Sequence, residues 1–181
     1  MSHSHHTLNV FQQECLDYHN FFRALHNLAP LRWDPALWET SKLWSKRLIS
    51  AAPKSPSQTS FRTKNWPHSD VGTEFRPNDV GENIAWDLSP LGSTCAESVF
   101  RWYSELFYYN PNNQQSRRKN EPVGHVTQLL WKSTTAIGCS RTQKGIKQPP
   151  NTHPNYLKST YTVCHYSPQD LGYKSIKYIF P

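Results

Sequence analysis

Nine histidines, thirteen carboxylates and four cysteines are the side chains through which this 181-residue chain could bind a metal, move a proton or attack a substrate. Their spacing already excludes several chemistries. His3, His5 and His6 stand close enough to chelate a divalent ion, although a solvated N-terminal tail is the favoured account of them. No His-Glu-x-x-His run occurs, so the usual zinc-protease helix is missing. Ser69, Ser133 and Ser140 lack a Gly-x-Ser-x-Gly elbow and an ordered Ser/His/Asp pattern, which removes a serine hydrolase. Cys15, Cys95, Cys139 and Cys164 are widely spaced, with no Cys-x-x-Cys pair to signal a zinc ribbon or a redox motif. Arg117, Arg118 and Lys119 form a compact basic run. Without interleaved aromatics or a recognition motif they do not point to nucleic acid.

The elements that must position these groups are partly legible. Phe11, Cys15, Tyr18, Phe22 and Leu25 recur at steps of four and three, which predicts a first amphipathic helix ending near Asn27, with Cys15 as a small core residue. Asp34 before Pro35 reads as an N-cap, and Leu37, Trp38, Leu43, Trp44, Leu48 and Ile49 supply an apolar stripe behind it. Four prolines across 53–80 predict a long irregular loop that contains His68. Thr94-x-x-Glu97 fits a capping box opening a third helix, which carries Glu105 and stops at Asn110-Pro111. The stretch 112–122 reads as an exposed loop, 124–131 is too short to assign, and 135–142 and 159–166 read as strands. His19, His26, His153 and His165 are expected at packing or surface positions.

Composition narrows the class. The length suits one domain, and seven Trp, nine Tyr and eight Phe supply enough apolar surface to order it. The longest apolar run, 106–109, is far short of the roughly 20 residues a bilayer span needs. The first thirty residues lack the apolar stretch of a secretion signal, and Ser2 stands where a myristoylated chain needs Gly. These features predict a cytoplasmic or peripheral membrane protein, with an extracellular one as the alternative. Residues 101–181 hold eleven Lys/Arg against three Asp/Glu, a net of +8, whereas 1–100 hold nine against ten. A field of that sign suits anionic lipid head groups or other acidic partners.

Tyr18-His19-Asn20 with Arg23, the run 31–37 (LRWDPAL), His68-Ser69, 81–85 (GENIA), 102–105 (WYSE), 124–131 (GHVTQLLW), Gly138-Cys139 and 161–168 (YTVCHYSP) follow one another along about 150 residues. In that order they are similar to the CAP superfamily of cysteine-rich secretory proteins, antigen 5 and pathogenesis-related 1 proteins. The non-secreted, Golgi-associated plant-pathogenesis-related-like branch is the nearest in look. The resemblance implies an α+β fold, a three-layer α-β-α sandwich with a small central antiparallel sheet, spanning 9–173 between short tails at 1–8 and 174–181. It implies a cleft in which His68, Glu82, Glu105 and His125 meet. It also implies that Cys139 and Cys164 form a disulfide if the chain is secreted and stay thiols in a reducing compartment. Two features depart from the pattern: 168–172 reads PQDLG where the family has P-x-G-N, and the loop at 114–119 is basic where sterol-binding members are aromatic and Gly-rich.

Three uses of such a tetrad stay open: a hydrogen-bonded scaffold fixing the 53–80 loop onto helix three, a site where His68 and His125 hold a divalent ion such as Zn2+, and hydrolysis. The leading expectation is a non-enzymatic binding protein with a metal-competent cleft and a basic surface for anionic lipid or a protein partner, able to form a homodimer. A zinc-dependent hydrolase and a secreted venom-allergen-like effector are the alternatives.

Overall fold

The three longer helices begin at side-chain caps. In the computed structural model, which describes residues 7–52, 68–113, 115–119, 121–147 and 156–170, helix α1 spans Val10–Leu25. Asn9 caps it by accepting from the Gln12 amide while the Gln12 side chain returns a bond to the Asn9 amide. The helix ends with Asn27 in the left-handed region at φ 54°, which directs the Leu28 amide back to the Arg23 carbonyl. Asp34 and Pro35 open α2, Pro35–Ala51, as the sequence indicated. Thr94 and Glu97 form the expected capping box of α3, Cys95–Ser104. The third helix tightens into a 3-10 turn at Glu105–Phe107, short of the expected end. A further six-residue helix, α4, covers Gly124–Leu129. His3, His5, His6, His153 and the segment 174–181 lie outside the described residues.

The main sheet has the order β1-β5-β6-β2, with β1 at Arg32–Trp33, β2 at Gly81–Ser89, β5 at Ala136–Lys147 and β6 at Tyr156–Ser167. A separate ribbon pairs β3, Tyr109–Asn110, with β4, Gln115–Ser116. Two expectations need correction. The sheet is mixed, because the short β1 runs parallel to β5 while the other pairings are antiparallel. The two predicted strands are longer than periodicity suggested, since cross-strand pairing from Ala136↔Ser167 to Lys147↔Tyr156 carries them past their apolar centres.

Alternation along the strands separates two faces. Ile84, Tyr161 and Val163 pack against Leu48 and Ile49 of α2. Cys139, Cys164 and Tyr166 turn to the opposite side and join Cys15, Phe22, Val99, Trp102 and Leu129 from α1, α3 and α4. The result is a helical layer on each side of the sheet. Gly138 permits the α2 contact, because a Cβ there would lie 2.1 Å from the Trp38 backbone nitrogen. The apolar stripe read for α1 is rotated in the fold: its buried residues are Gln12, Cys15, His19, Phe22 and Arg23, while Tyr18 and Leu25 are exposed. Buried polar groups move the stripe. Arg23 is wholly enclosed and donates to the carbonyls of Ala29, Leu129, Trp131 and Thr134.

Cys15 is likewise more than a small core residue. It forms a disulfide with Cys95 that ties α1 to α3 across 80 residues, and Cys139 is bonded to its cross-strand partner Cys164. No described helix is long and apolar enough to cross a membrane.

Candidate functional site

Glu82 is the second residue of β2, and its side chain has no exposed surface. A carboxylate so placed must be supplied with donors or forfeit its charge. Four are present. Oε1 accepts from His68 Nδ1 at 2.8 Å and from the Ser69 amide at 2.9 Å; Oε2 accepts from Ser69 Oγ at 2.6 Å and from His165 Nε2 at 3.0 Å. Burial alone would raise the Glu82 pKa, but the bonds from His165, His68 and Ser69 outweigh it and pull the carboxyl from 4.5 down to about 2. Glu82 is therefore an anion, and it binds His68 and Ser69 to the start of β2.

His165 reaches Glu82 because register sets the two opposite each other on adjacent strands. Its other nitrogen, Nδ1, meets Thr40 Oγ1 of α2 at 2.8 Å, and that hydroxyl also lies 3.1 Å from the Leu37 carbonyl. A hydrogen-bonded line thus runs from α2 through His165 and Glu82 to His68, whose side chain is half exposed.

The second pair is built at the end of the third helix. Glu105 Oε1 accepts from His125 Nδ1 at 2.6 Å, and Oε2 accepts the backbone amides of His125 and Val126 at 3.0 and 3.2 Å. One carboxylate therefore holds both the ring and the first turn of α4. The Trp102 ring lies nearly parallel to His125, at 13° and 6.1 Å between centroids. Asn83, next to Glu82, donates to the His125 carbonyl at 3.0 Å, so consecutive residues of β2 anchor both pairs. The same amide reaches Tyr166 OH at 3.2 Å, and that hydroxyl meets His19 Nε2 at 2.8 Å. Because His19 Nδ1 donates to the Cys15 carbonyl, Nε2 accepts from Tyr166. Burial keeps His19 neutral, with its pKa lowered to about 4.

The four residues singled out from the sequence thus form two His–Glu dyads. Carboxylates only accept, so each imidazole presents its Nδ1 hydrogen to its glutamate and, in the neutral ring, carries its lone pair on Nε2. Among the described residues, the group of three or more potential ligands that converges closely enough to hold an ion is not this tetrad but the four cysteines, whose sulfurs all lie within 4.8 Å of one another. Arg117, Arg118 and Lys119 are exposed in the loop following β4, with Arg118 lying 5.1 Å from the Tyr108 ring centroid. His165, Thr40 and Asn83 were not picked out from the sequence as site residues. The available signal was strand alternation, which places His165 on the face of Val163 beneath α2 and leaves a buried imidazole in need of a partner.

The chain is similar to known proteins in sequence and in fold. The chain is 30% identical over 165 residues to venom allergen 5 of Vespula vidua, covering 87% of this chain and 73% of that one. It is 29% identical over 143 residues to pathogenesis-related protein 1C of Nicotiana tabacum, covering 79% and 72%. Among solved structures it resembles a Schistosoma mansoni venom allergen-like protein (TM-score 0.57, 22% identity, 96% of each chain) and NaASP2 solved with Zn2+ (TM-score 0.55, 20% identity, 100% of this chain and 91% of that one). These structural likenesses support the α-β-α sandwich. The model of the CAP, or cysteine-rich secretory protein, family matches residues 16–166, and the chain belongs to that family.

Proposed function

We propose that the chain is a non-enzymatic binding domain that takes a divalent ion of the zinc class through Nε2 of His68 and of His125. The observation that carries this reading is the pair of dyads. Each imidazole is tied at Nδ1 by a carboxylate, which fixes the tautomer and the ring orientation, the usual support for metal-binding histidine. A structural neighbour solved with Zn2+ agrees with it. With two protein nitrogens and the remaining positions left to solvent or ligand, binding should be modest. No nucleophile or proton-transfer step is assigned. Calorimetric titration of the oxidised chain with Zn2+ tests the proposal. His125→Ala and His68→Ala should each weaken binding about tenfold or more, in line with what an orienting contact alone is worth; titrations indistinguishable from wild type would end it.

A second observation favours an anionic surface as partner. Phe107 is 83% exposed, and the pairing of Tyr109 with Ser116 brings the end of its 3-10 turn beside Arg117 and Arg118. An exposed apolar ring two residues before Tyr109, whose strand pairs with the one leading into the exposed Arg117, Arg118 and Lys119, fits the interface of an acidic bilayer. Co-sedimentation with phosphatidylserine-containing vesicles should exceed that with phosphatidylcholine alone and fall with salt. Each cation removed is worth about 1 kcal/mol. Equal binding to both vesicles would remove the lipid reading. The two cystines favour the extracellular alternative over the cytoplasmic one.

A further inference from the structure

We propose that the four cysteines at the centre of the fold are, in the reduced chain, a second and sulfur-only metal site: a tetrathiolate that takes one divalent ion of the zinc class. Cys15 comes from α1, Cys95 from the first turn of α3, Cys139 from β5 and Cys164 from β6, and each is 0% exposed. Their four Sγ atoms all lie within 4.8 Å of one another. A tetrahedral zinc with Zn–S near 2.3 Å sets its sulfurs about 3.8 Å apart, inside that envelope. The Cα separations of the bonded pairs, 5.2 and 4.1 Å, already hold the backbones close on both sides of the sheet–helix boundary. Cleaving the two S–S bonds and turning the side chains apart would form the site from residues that the fold already gathers.

The spacing that hid this cluster in the sequence is what makes it a closed structural site. One ligand from each of four elements would pin two helices to two strands, replacing the two covalent ties lost on reduction. The position of Cys95 at the start of a ten-residue helix directs its positive end toward the developing charge. The balance is simple. Two equivalents of a dithiol or phosphine reductant deliver four electrons, four protons are taken up, and four thiols result. A zinc ion then displaces those four protons to solvent and becomes a complex of charge −2 with no change in its own oxidation state. A disulfide-forming oxidant withdraws four electrons, restores both cystines and expels the ion. The site shares no ligand with the His68 and His125 proposal and does not depend on it.

The test uses the full chain, unfolded with a phosphine reductant and refolded with and without Co2+ as a spectroscopic stand-in for zinc. The expected result is one Co2+ per chain, the intense thiolate-to-cobalt absorption of a tetrahedral tetrathiolate, and bleaching when Zn2+ is added. All four thiols should then resist alkylation in the native state, and chelator should expose them. Cys15→Ser and Cys164→Ser should each abolish the spectrum, whereas the double variant His68→Ala/His125→Ala should keep it. Wild-type thiol protection gives a readout that does not depend on the serine variants folding. The proposal is overturned if the reduced chain refolds without taking up Co2+, fails to refold with Co2+ present, retains the spectrum in the cysteine variants, or loses it in the histidine double variant.

Discussion

Replacing Glu82 by Gln tests the buried half of the site at its most quantitative point. The carboxyl of Glu82 falls from 4.5 in an unfolded chain to about 2 in the fold. A group lowered on folding stabilises the native state fully above its unfolded value, and that contribution drains away as pH falls toward the folded one. From 4.5 to about 2 the loss amounts to about 3 kcal/mol. Gln keeps the volume but offers one acceptor where two oxygens took four bonds, and its NH2 faces donors of Ser69 or His165. Glu82→Gln should therefore lose about 3 kcal/mol or more at neutral pH, a deficit that shrinks through this window until the two proteins converge in acid. His19, held neutral to about 4 by burial first and by the charge of Arg23 to a lesser extent, gives both proteins a common slope at higher pH, below 6.5. Urea unfolding followed by near-UV circular dichroism at a series of pH values separates the two. If the wild-type and Glu82→Gln stability curves run parallel from neutral pH into acid, the carboxylate is not held as the hydrogen bonds indicate, and the reasoning about His68 falls with it.

Other outcomes follow from packing and chain entropy. Gly138→Ala would set a Cβ against the Leu37–Trp38 backbone, which cannot yield as a side chain can; a loss of about 3 kcal/mol or more is expected in thermal melts, and a variant as stable as wild type would mean that α2 does not sit so close to β5. Removing the Cys15–Cys95 bond releases a separation of 80 residues and removing Cys139–Cys164 one of 25, so the double Ala variant of the first pair should lose about 1 kcal/mol more than that of the second, out of about 4.5 and about 3.5. Denaturant titration in the absence of metal checks the order, and its reversal would show that native packing, not the unfolded chain, sets the difference.

The local elements of this protein are written in short stretches of sequence. Asp34-Pro35 and Thr94-x-x-Glu97 declare helix starts because a cap is satisfied within four residues, and the structure places both as read. The ordered motifs from Tyr18 to Pro168 likewise carried the family and, with it, the layered architecture. Tertiary structure alone decided how the chemistry is shared out. Whether Glu82 answers to His68 only or to His165 as well depends on strand pairing that sets two residues 83 apart in sequence opposite each other. Cys15 meets Cys95 because α1 and α3 pack side by side, an arrangement no spacing of cysteines encodes. The rotated face of α1 has the same origin: Arg23 and His19 turn inward because carbonyls and a tyrosine from distant segments are there to meet them. Burying a polar group is favourable only when its partner is in place, and the partners come from elsewhere in the chain.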